Sequence, residues 1–278
     1  MPKTDTDNVK PGNASRCYWQ DGDHAPTRVA MLYLHGFTAS PGEAAELPEI
    51  MADALNANLY VHRWPGHGTD EPTAMQGLTV ETLQDSAAEA LARACSMGDQ
   101  VVIVGSSLGA TLGLWLASQR PRDVAAVVAW SPGVQAAIPS LLEAACAEVE
   151  PITDPRPRTA AAQAFWSKTV HPDGYRALRT MFASFTVDPP WPQVRCPVFL
   201  GYYRAPAGDE DQTASVPAML AMFDALGTPL ENKHAIAFAS GAHVIGSPHK
   251  SLVARQVADA SVDFLRDQLV RLAYARAG

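Results

Sequence analysis

Short apolar runs alternate with stretches whose apolar residues recur at helical spacing along most of this chain. Residues 28–34, Arg-Val-Ala-Met-Leu-Tyr-Leu, are nearly all apolar, the pattern of a strand buried on both faces of a parallel sheet. Residues 58–63, 101–104, 125–130 and 197–203 repeat it, and residues 233–239 make a weaker sixth candidate. Helical stripes lie between them. Ser40-Pro41-Gly42-Glu43 has the form of a capping box with proline at the first helical position, and Leu47, Ile50, Met51 and Leu55 follow at helical spacing. Thr79 caps a second predicted helix with Leu83, Ala87 and Leu91 on one side, and a third runs to Arg120, where Pro121 stops it. Near the C-terminus Val253, Val257, Ala260 and Phe264 share a helical face. This alternation predicts a mostly parallel, doubly wound α/β sheet with helices on both faces.

Two stretches break the rhythm. Residues 1–26 are polar, carry Pro, Gly, Asn and Asp, and read as a loose N-terminal lead-in. About 65 residues then separate the fourth and fifth strands, too many for a single crossover helix. Ile138, Leu141, Leu142, Ala145 and Val149 make one stripe there, and Tyr175, Leu178, Met181, Phe182 and Phe185 another. Pro151, Pro155 and Pro157 separate the stripes, and Pro189-Pro190-Trp191-Pro192 closes the stretch. Residues 27–132 and 193–278 thus read as one core, and 133–192 as a helical cap inserted over its carboxyl edge. The competing arrangement is an extra pair of helices in the main layer.

Composition narrows the class of function. The chain has 278 residues, 47% hydrophobic and 18% charged, which suits a globular protein with a large core. Its 21 Lys and Arg against 29 Asp and Glu leave a net charge of −8, which argues against a general affinity for nucleic acid. No apolar run is long enough to span a bilayer, and residues 1–7 lack the apolar segment of a signal peptide. Cys17, Cys95, Cys146 and Cys196 are widely spaced and form no C-x-x-C pair, so reduced thiols and a cytoplasmic location are expected.

The chemistry centres on Gly105-Ser106-Ser107-Leu108-Gly109, at the end of a β-branched strand and the start of a helix. In a G-x-S-x-G turn the serine sits on a sharp bend, and glycine two residues either side removes the Cβ atoms that would clash. Ser107 is therefore the candidate nucleophile, and Ser106, without glycines at those offsets, a supporting residue. A serine hydroxyl needs a base. Among eight histidines, His35 and His67 sit in His-Gly motifs suited to structural hydrogen bonds, and His62 and His67 lack companions for a metal set. His24, His171 and His249 read as surface residues, and His234 opens a strand. His243 follows a strand in Ser240-Gly241-Ala242-His243, a loop at the carboxyl edge where reacting groups collect, and is the candidate base. The acid that orients it should follow the fifth strand, where Asp209, Glu210 and Asp211 stand together. Asp211 is favoured because an amphipathic run with Met219, Leu220 and Phe223 begins just beyond it, and Asp209 is second.

The order Ser107, Asp211, His243 is that of the α/β-hydrolases. With His35-Gly36-Phe37-Thr38 and Pro65-Gly66-His67-Gly68, the chain resembles a cap-bearing α/β-hydrolase of the carboxylesterase and monoacylglycerol-lipase group over about residues 28–270. The resemblance implies that group's fold and ester hydrolysis through an acyl-enzyme, with no metal or organic cofactor. It also implies an oxyanion hole made by the N–H groups of Phe37 and Leu108. The acidic loop after the fifth strand is longer than the family's compact Gly-x-x-Asp form. Phe165, Trp166, Tyr175, Met181, Phe182 and Phe185 are candidates for an apolar pocket that would take short- to medium-chain or monoacylglycerol-like esters. The expected partners are a small-molecule ester and water, for a monomer or a homodimer. Thioester, amide or C–C bond cleavage by the same residues, or a receptor without turnover, are the rival readings.

Overall fold

The computed structural model describes residues 8–239 and 243–277, the stretch 272–277 by its backbone only. In chain order the first elements are β1 (Arg16–Tyr18), β2 (Ala30–Leu34), α1 (Leu47–Leu55), β3 (Asn58–His62), α2 (Val80–Cys95), β4 (Val101–Ser106), α3 (Leu108–Gln119) and β5 (Val124–Trp130). Then come α4 (Pro139–Ala147), β6 (Ile152–Thr153), α5 (Ala160–Phe165), β7 (Thr169–Val170), α6 (Pro172–Val187), β8 (Val198–Tyr203), α7 (Val216–Asp224), β9 (Lys233–Phe238) and α8 (Ala254–Ala277). Seven strands form one sheet in the order β1-β3-β2-β4-β5-β8-β9. All its pairings are parallel except β1 with β3, and β6 and β7 make a separate antiparallel pair.

Both faces of the central strands are buried, and nearly all their positions are apolar. Ala30, Leu32 and Leu34 of β2 pack into a core with residues of α2 and α3, whereas Met31 and Tyr33 pack into a second core with residues of α1 and α8. Alternation along the strand puts neighbouring residues on opposite faces, so a continuous apolar run supplies two cores at once. Register then aligns the strand ends. Leu34 lies beside His62 on one side and Gly105 on the other, and Ser106 lies beside Trp130. His35, Ser107 and Ser131 therefore leave the sheet along one carboxyl edge.

Three local readings of the sequence differ from the structure. Residues Arg16–Tyr18, inside the expected loose lead-in, pair antiparallel with β3. A three-residue edge strand, Arg-Cys-Tyr, is too short to show a periodicity; its partner's backbone decides it. Ser40 does head a turn, but a short 3₁₀ turn over Pro41–Ala44, and its side chain caps nothing. The Ser40 hydroxyl donates to the Phe165 carbonyl at 3.0 Å, the Glu43 side chain turns inward, and α1 starts only at Leu47. His171 is buried, accepting from the Asp173 N–H at the start of α6, and His249 is stacked on Phe165, so neither is a plain surface residue. Thr79 does cap α2, accepting from the Thr82 N–H at 3.2 Å. All four cysteines are free thiols.

Candidate active site

The turn from β4 into α3 carries Ser107 at φ 51° and ψ −112°, a left-handed conformation that costs a non-glycine residue energy and persists only where its surroundings hold it. The packing requires both flanking glycines. A Cβ on Gly109 would lie 2.0 Å from the Leu34 carbonyl oxygen, and one on Gly105 would lie 2.5 Å from the Ala110 nitrogen. The Ser107 N–H donates to Trp130 O at 2.8 Å, which pins the turn to the end of β5.

His243 Nε2 lies 2.8 Å from Ser107 Oγ, and its Nδ1 lies 2.5 Å from Asp211 Oδ2. The other Asp211 oxygen accepts from the N–H groups of Thr213 and Ala214 at 2.7 and 3.0 Å. Burial disfavours the charge on Asp211, but the hydrogen bond and charge of His243, with these two N–H groups, outweigh it and hold the carboxyl below its ordinary value. An ionised Asp211 fixes the tautomer: Nδ1 carries the proton and Nε2 is free to accept from the serine. Each rival acid has its own partner. Tyr203 donates its hydroxyl to Asp209, and Glu210 pairs with Arg204 at 2.8 Å. Residues 240–242 before His243 lie outside the described residues.

Phe37 and Leu108 both line the cavity above Ser107. Leu108 opens α3, so its N–H has no intrahelical acceptor. The Phe37 N–H has no acceptor among the described residues. Its orientation follows from its neighbour: His35 Nδ1–H donates to Gly36 O at 2.9 Å, and in a planar trans peptide the next N–H points the opposite way. His35 in turn accepts from the Trp64 N–H at 3.1 Å, so it is a structural residue of this loop. Burial, reinforced by neighbouring His67, keeps His35 neutral, its pKa well below the ordinary value.

The cavity measures about 700 Å³ and is mostly apolar, lined by Ile138, Leu141, Leu142, Tyr175, Leu178 and Phe182 among others. Tyr175 and Phe182 are thus where the sequence suggested. The remaining candidates are elsewhere. Phe165 stacks on His249, and Trp166 is buried beneath the Lys250 ammonium, 4.0 Å from its ring centroid. Met181 is wholly inside the core, and Phe185 packs edge-on against Trp191. On a helix buried on more than one side, an aromatic stripe marks burial without saying which rim faces the cavity. Conversely Leu178, Leu141 and Leu142 belong to the same stripes and do line it.

One residue beside the site gave no chemical signal in the sequence. Glu43 is fully buried, and its Oε1 accepts from the Gly36 N–H at 2.7 Å and from the Tyr33 hydroxyl at 3.0 Å. Burial pushes its carboxyl up to about 7, against the pull of Gly36, Tyr33, His243 and Ser106. The pattern that would have revealed it was masked by its fit to a capping box.

Residues 31–260 match the alpha/beta hydrolase family. The chain belongs to that family. As an alpha/beta hydrolase it has distant structural relatives along nearly its whole length. One is a structure from the metagenome-derived lipolytic enzymes LipS and LipT, with TM-score 0.75 and 19% identity over 93% of this chain and 99% of the other. A second is the monoacylglycerol lipase of Paleococcus ferrophilus, with TM-score 0.71 and 17% identity over 92% and 99%. A third is Est1E of Butyrivibrio proteoclasticus with ferulic acid bound, with TM-score 0.63 and 15% identity over 96% and 98%. Among curated protein sequences none matches this chain. These likenesses establish the shared fold. No helix among the described residues is long and apolar enough to cross a membrane, and no group of three or more His, Cys, Asp or Glu converges to hold a metal ion.

Proposed function

We propose that this alpha/beta hydrolase cleaves carboxylic esters through an acyl-enzyme, with Ser107 as nucleophile, His243 as base and Asp211 as its orienting acid. The observation that carries this reading is the continuous chain from Ser107 Oγ to His243 to Asp211, 2.8 and 2.5 Å long, at the floor of an apolar cavity. His243 takes the Ser107 proton as Oγ attacks the ester carbonyl carbon. The carbonyl π electrons move onto oxygen, where the Phe37 and Leu108 N–H groups hold the charge. The tetrahedral intermediate collapses, the C–O bond to the alcohol breaks, and His243 returns its proton to the leaving oxygen. Water then repeats the attack on the acyl-serine, giving up a proton to His243; the bond from the acyl carbon to Oγ breaks, His243 returns that proton to Oγ, and the acid departs. Asp211 stays ionised throughout and stabilises the imidazolium.

Residues 133–192 act in this reading as a helical cap, since Ile138, Leu141, Leu142, Tyr175, Leu178 and Phe182 from this segment line the cavity with Ser107. A cavity of this size, with a mostly apolar lining, suits short- to medium-chain acyl groups or monoacylglycerol-like substrates. The lipolytic and esterase relatives support the same class. Turnover of p-nitrophenyl esters from acetate to palmitate, with Ser107→Ala alongside, tests the proposal. The expected result is turnover that peaks at short or medium chains and falls by at least about 10⁴ in Ser107→Ala at unchanged melting temperature. Activity of Ser107→Ala within tenfold of the native protein would refute the assignment. Labelling of Ser107 by a fluorophosphonate without ester turnover would keep the nucleophile and overturn the substrate class.

A further inference from the structure

The carboxyl of Glu43 sits directly behind the reacting centre, yet acyl transfer as written above does not use it. It belongs to the short turn that follows the loop His35–Thr38, and its Oε1 holds the Gly36 N–H, one residue before the proposed oxyanion donor. Its Oε2 is buried without a hydrogen-bond partner. A Cβ built on Gly36 would lie 3.4 Å from Glu43 Oε2 and equally 3.4 Å from Ser107 Cβ, so carboxyl and nucleophile flank the same glycine. The turn is also tied to the segment after His243. Ser247 donates its hydroxyl to Glu43 O at 2.5 Å, and His249 Nε2 lies 3.1 Å from Gly42 O.

Gly36 is thereby gripped at both of its backbone groups, the C=O by His35 and the N–H by Glu43. Only its two torsions connect these anchors, and with both ends held the Phe37 N–H has little freedom to turn away from Ser107. Glu43 feels the nearby charges of His243 and Lys250, while its Oε1 accepts from the Gly36 N–H and the Tyr33 hydroxyl. Hydrogen bonds that merely satisfied a buried acid could come from any nearby N–H. One of the two that reach Oε1 comes from the residue whose neighbour must meet the developing oxyanion.

We infer that Glu43 is a positioning residue for acyl transfer, its carboxyl holding the Gly36 peptide so that the Phe37 N–H is preorganised toward the oxyanion. This rests on the ester-cleavage reading for its chemistry and on the Glu43–Gly36 contact for its geometry. Its neutral form suffices, since a carbonyl oxygen accepts from an N–H as a carboxylate does, and burial pushes its pKa up to about 7. Shape rather than charge is therefore what the role demands.

The test compares Glu43→Gln, Glu43→Asp and Tyr33→Phe with the native protein, reading kcat and KM on a p-nitrophenyl ester and the rate of fluorophosphonate labelling of Ser107. Glu43→Gln keeps the acceptor at the same reach, and kcat should stay within about threefold at pH 6.5. Glu43→Asp keeps the acid but withdraws it by one methylene, and kcat and the labelling rate should fall at least tenfold with KM within threefold. The loss of one oxyanion donor, about 10²–10³, is its upper bound. Tyr33→Phe removes the other donor to Oε1 without touching Gly36, and should leave both rates within threefold. If Glu43→Asp does not melt cooperatively, Glu43→Met replaces it in the comparison. The inference is overturned if the shortened or apolar variant keeps native rates, if Glu43→Gln loses as much as Glu43→Asp, or if Tyr33→Phe matches their loss. Labelling rates serve even if the native protein turns over no ester, so failure of the substrate reading is separable from failure of this one.

Discussion

Replacing Glu43 by glutamine should stabilise the protein, and by an amount that depends on pH in a defined way. The carboxyl titrates near 4.5 when solvated and at about 7 in the folded protein because burial opposes its charge. Below pH 4.5 the acid is protonated in both states and contributes no pH dependence. Between 4.5 and 7 the folded protein holds a proton that the unfolded chain has released, so raising the pH favours the unfolded state. Above 7 both are ionised and the folded state carries the full penalty. A shift of this size corresponds to about 3 kcal/mol at 1.36 kcal/mol per pH unit, and the group is fully buried, so solvent does not screen it away. Glutamine keeps the acceptor and cannot ionise. The advantage of Glu43→Gln over the native protein should therefore grow by about 3 kcal/mol from pH 4.5 to pH 8, roughly 6–12 °C in melting temperature for a chain of this size. Calorimetric melting of both proteins at half-unit pH steps measures it, and every group common to the two cancels in the difference. A difference that is flat across pH 4.5–8, or that shrinks as pH rises, would refute the burial argument.

Three other outcomes follow from the geometry. Asp211→Asn should lower kcat by three to four orders of magnitude, while Asp209→Asn should stay within a few-fold because its carboxyl serves the Tyr203 hydroxyl; the reverse ranking in steady-state assays would move the acid. Gly109→Ala should cost about 3 kcal/mol or more in urea unfolding, since its Cβ would meet the Leu34 backbone at 2.0 Å, whereas Gly22→Ala, with nothing within 4 Å, should be close to neutral. Burial depresses His62 to about 3 and His67 to about 4, so the unfolded chain takes up protons below pH 6.5 that the folded one refuses, and stability is lost as pH falls toward 4. Melting temperatures of His67→Asn should decline less steeply from pH 6.5 to 4.5 than those of the native protein; equal slopes would count against the burial of that ring as the cause.

Much of this fold was legible because its signals are local. A strand covered on both faces must be apolar along nearly all its length, and β2, β5 and β4 up to its closing Ser106 are. The turn at Ser107 needs glycine at two fixed offsets, and the clashes that a Cβ would make at Gly105 and Gly109 show the physical need behind the motif. Chain order along the carboxyl edge then suffices to bring Ser107 and His243 together. The rest required partners distant in sequence. Three adjacent acids look alike in a linear string, and only the folded loop gives Asp209 to Tyr203, Glu210 to Arg204 and Asp211 to His243. The stripe of α6 announces burial, but rotation of the helix in its packing decides that Tyr175, Leu178 and Phe182 face the cavity while Met181 and Phe185 do not. Glu43 satisfies a local capping pattern and is instead drawn inward by the Gly36 N–H and the Tyr33 hydroxyl, two donors that the fold has already stripped of water. Sequence by itself determined where hydrophobic burial and backbone sterics leave one choice. Tertiary structure decided where several polar groups could serve, because a buried donor takes whichever acceptor the packing brings within reach.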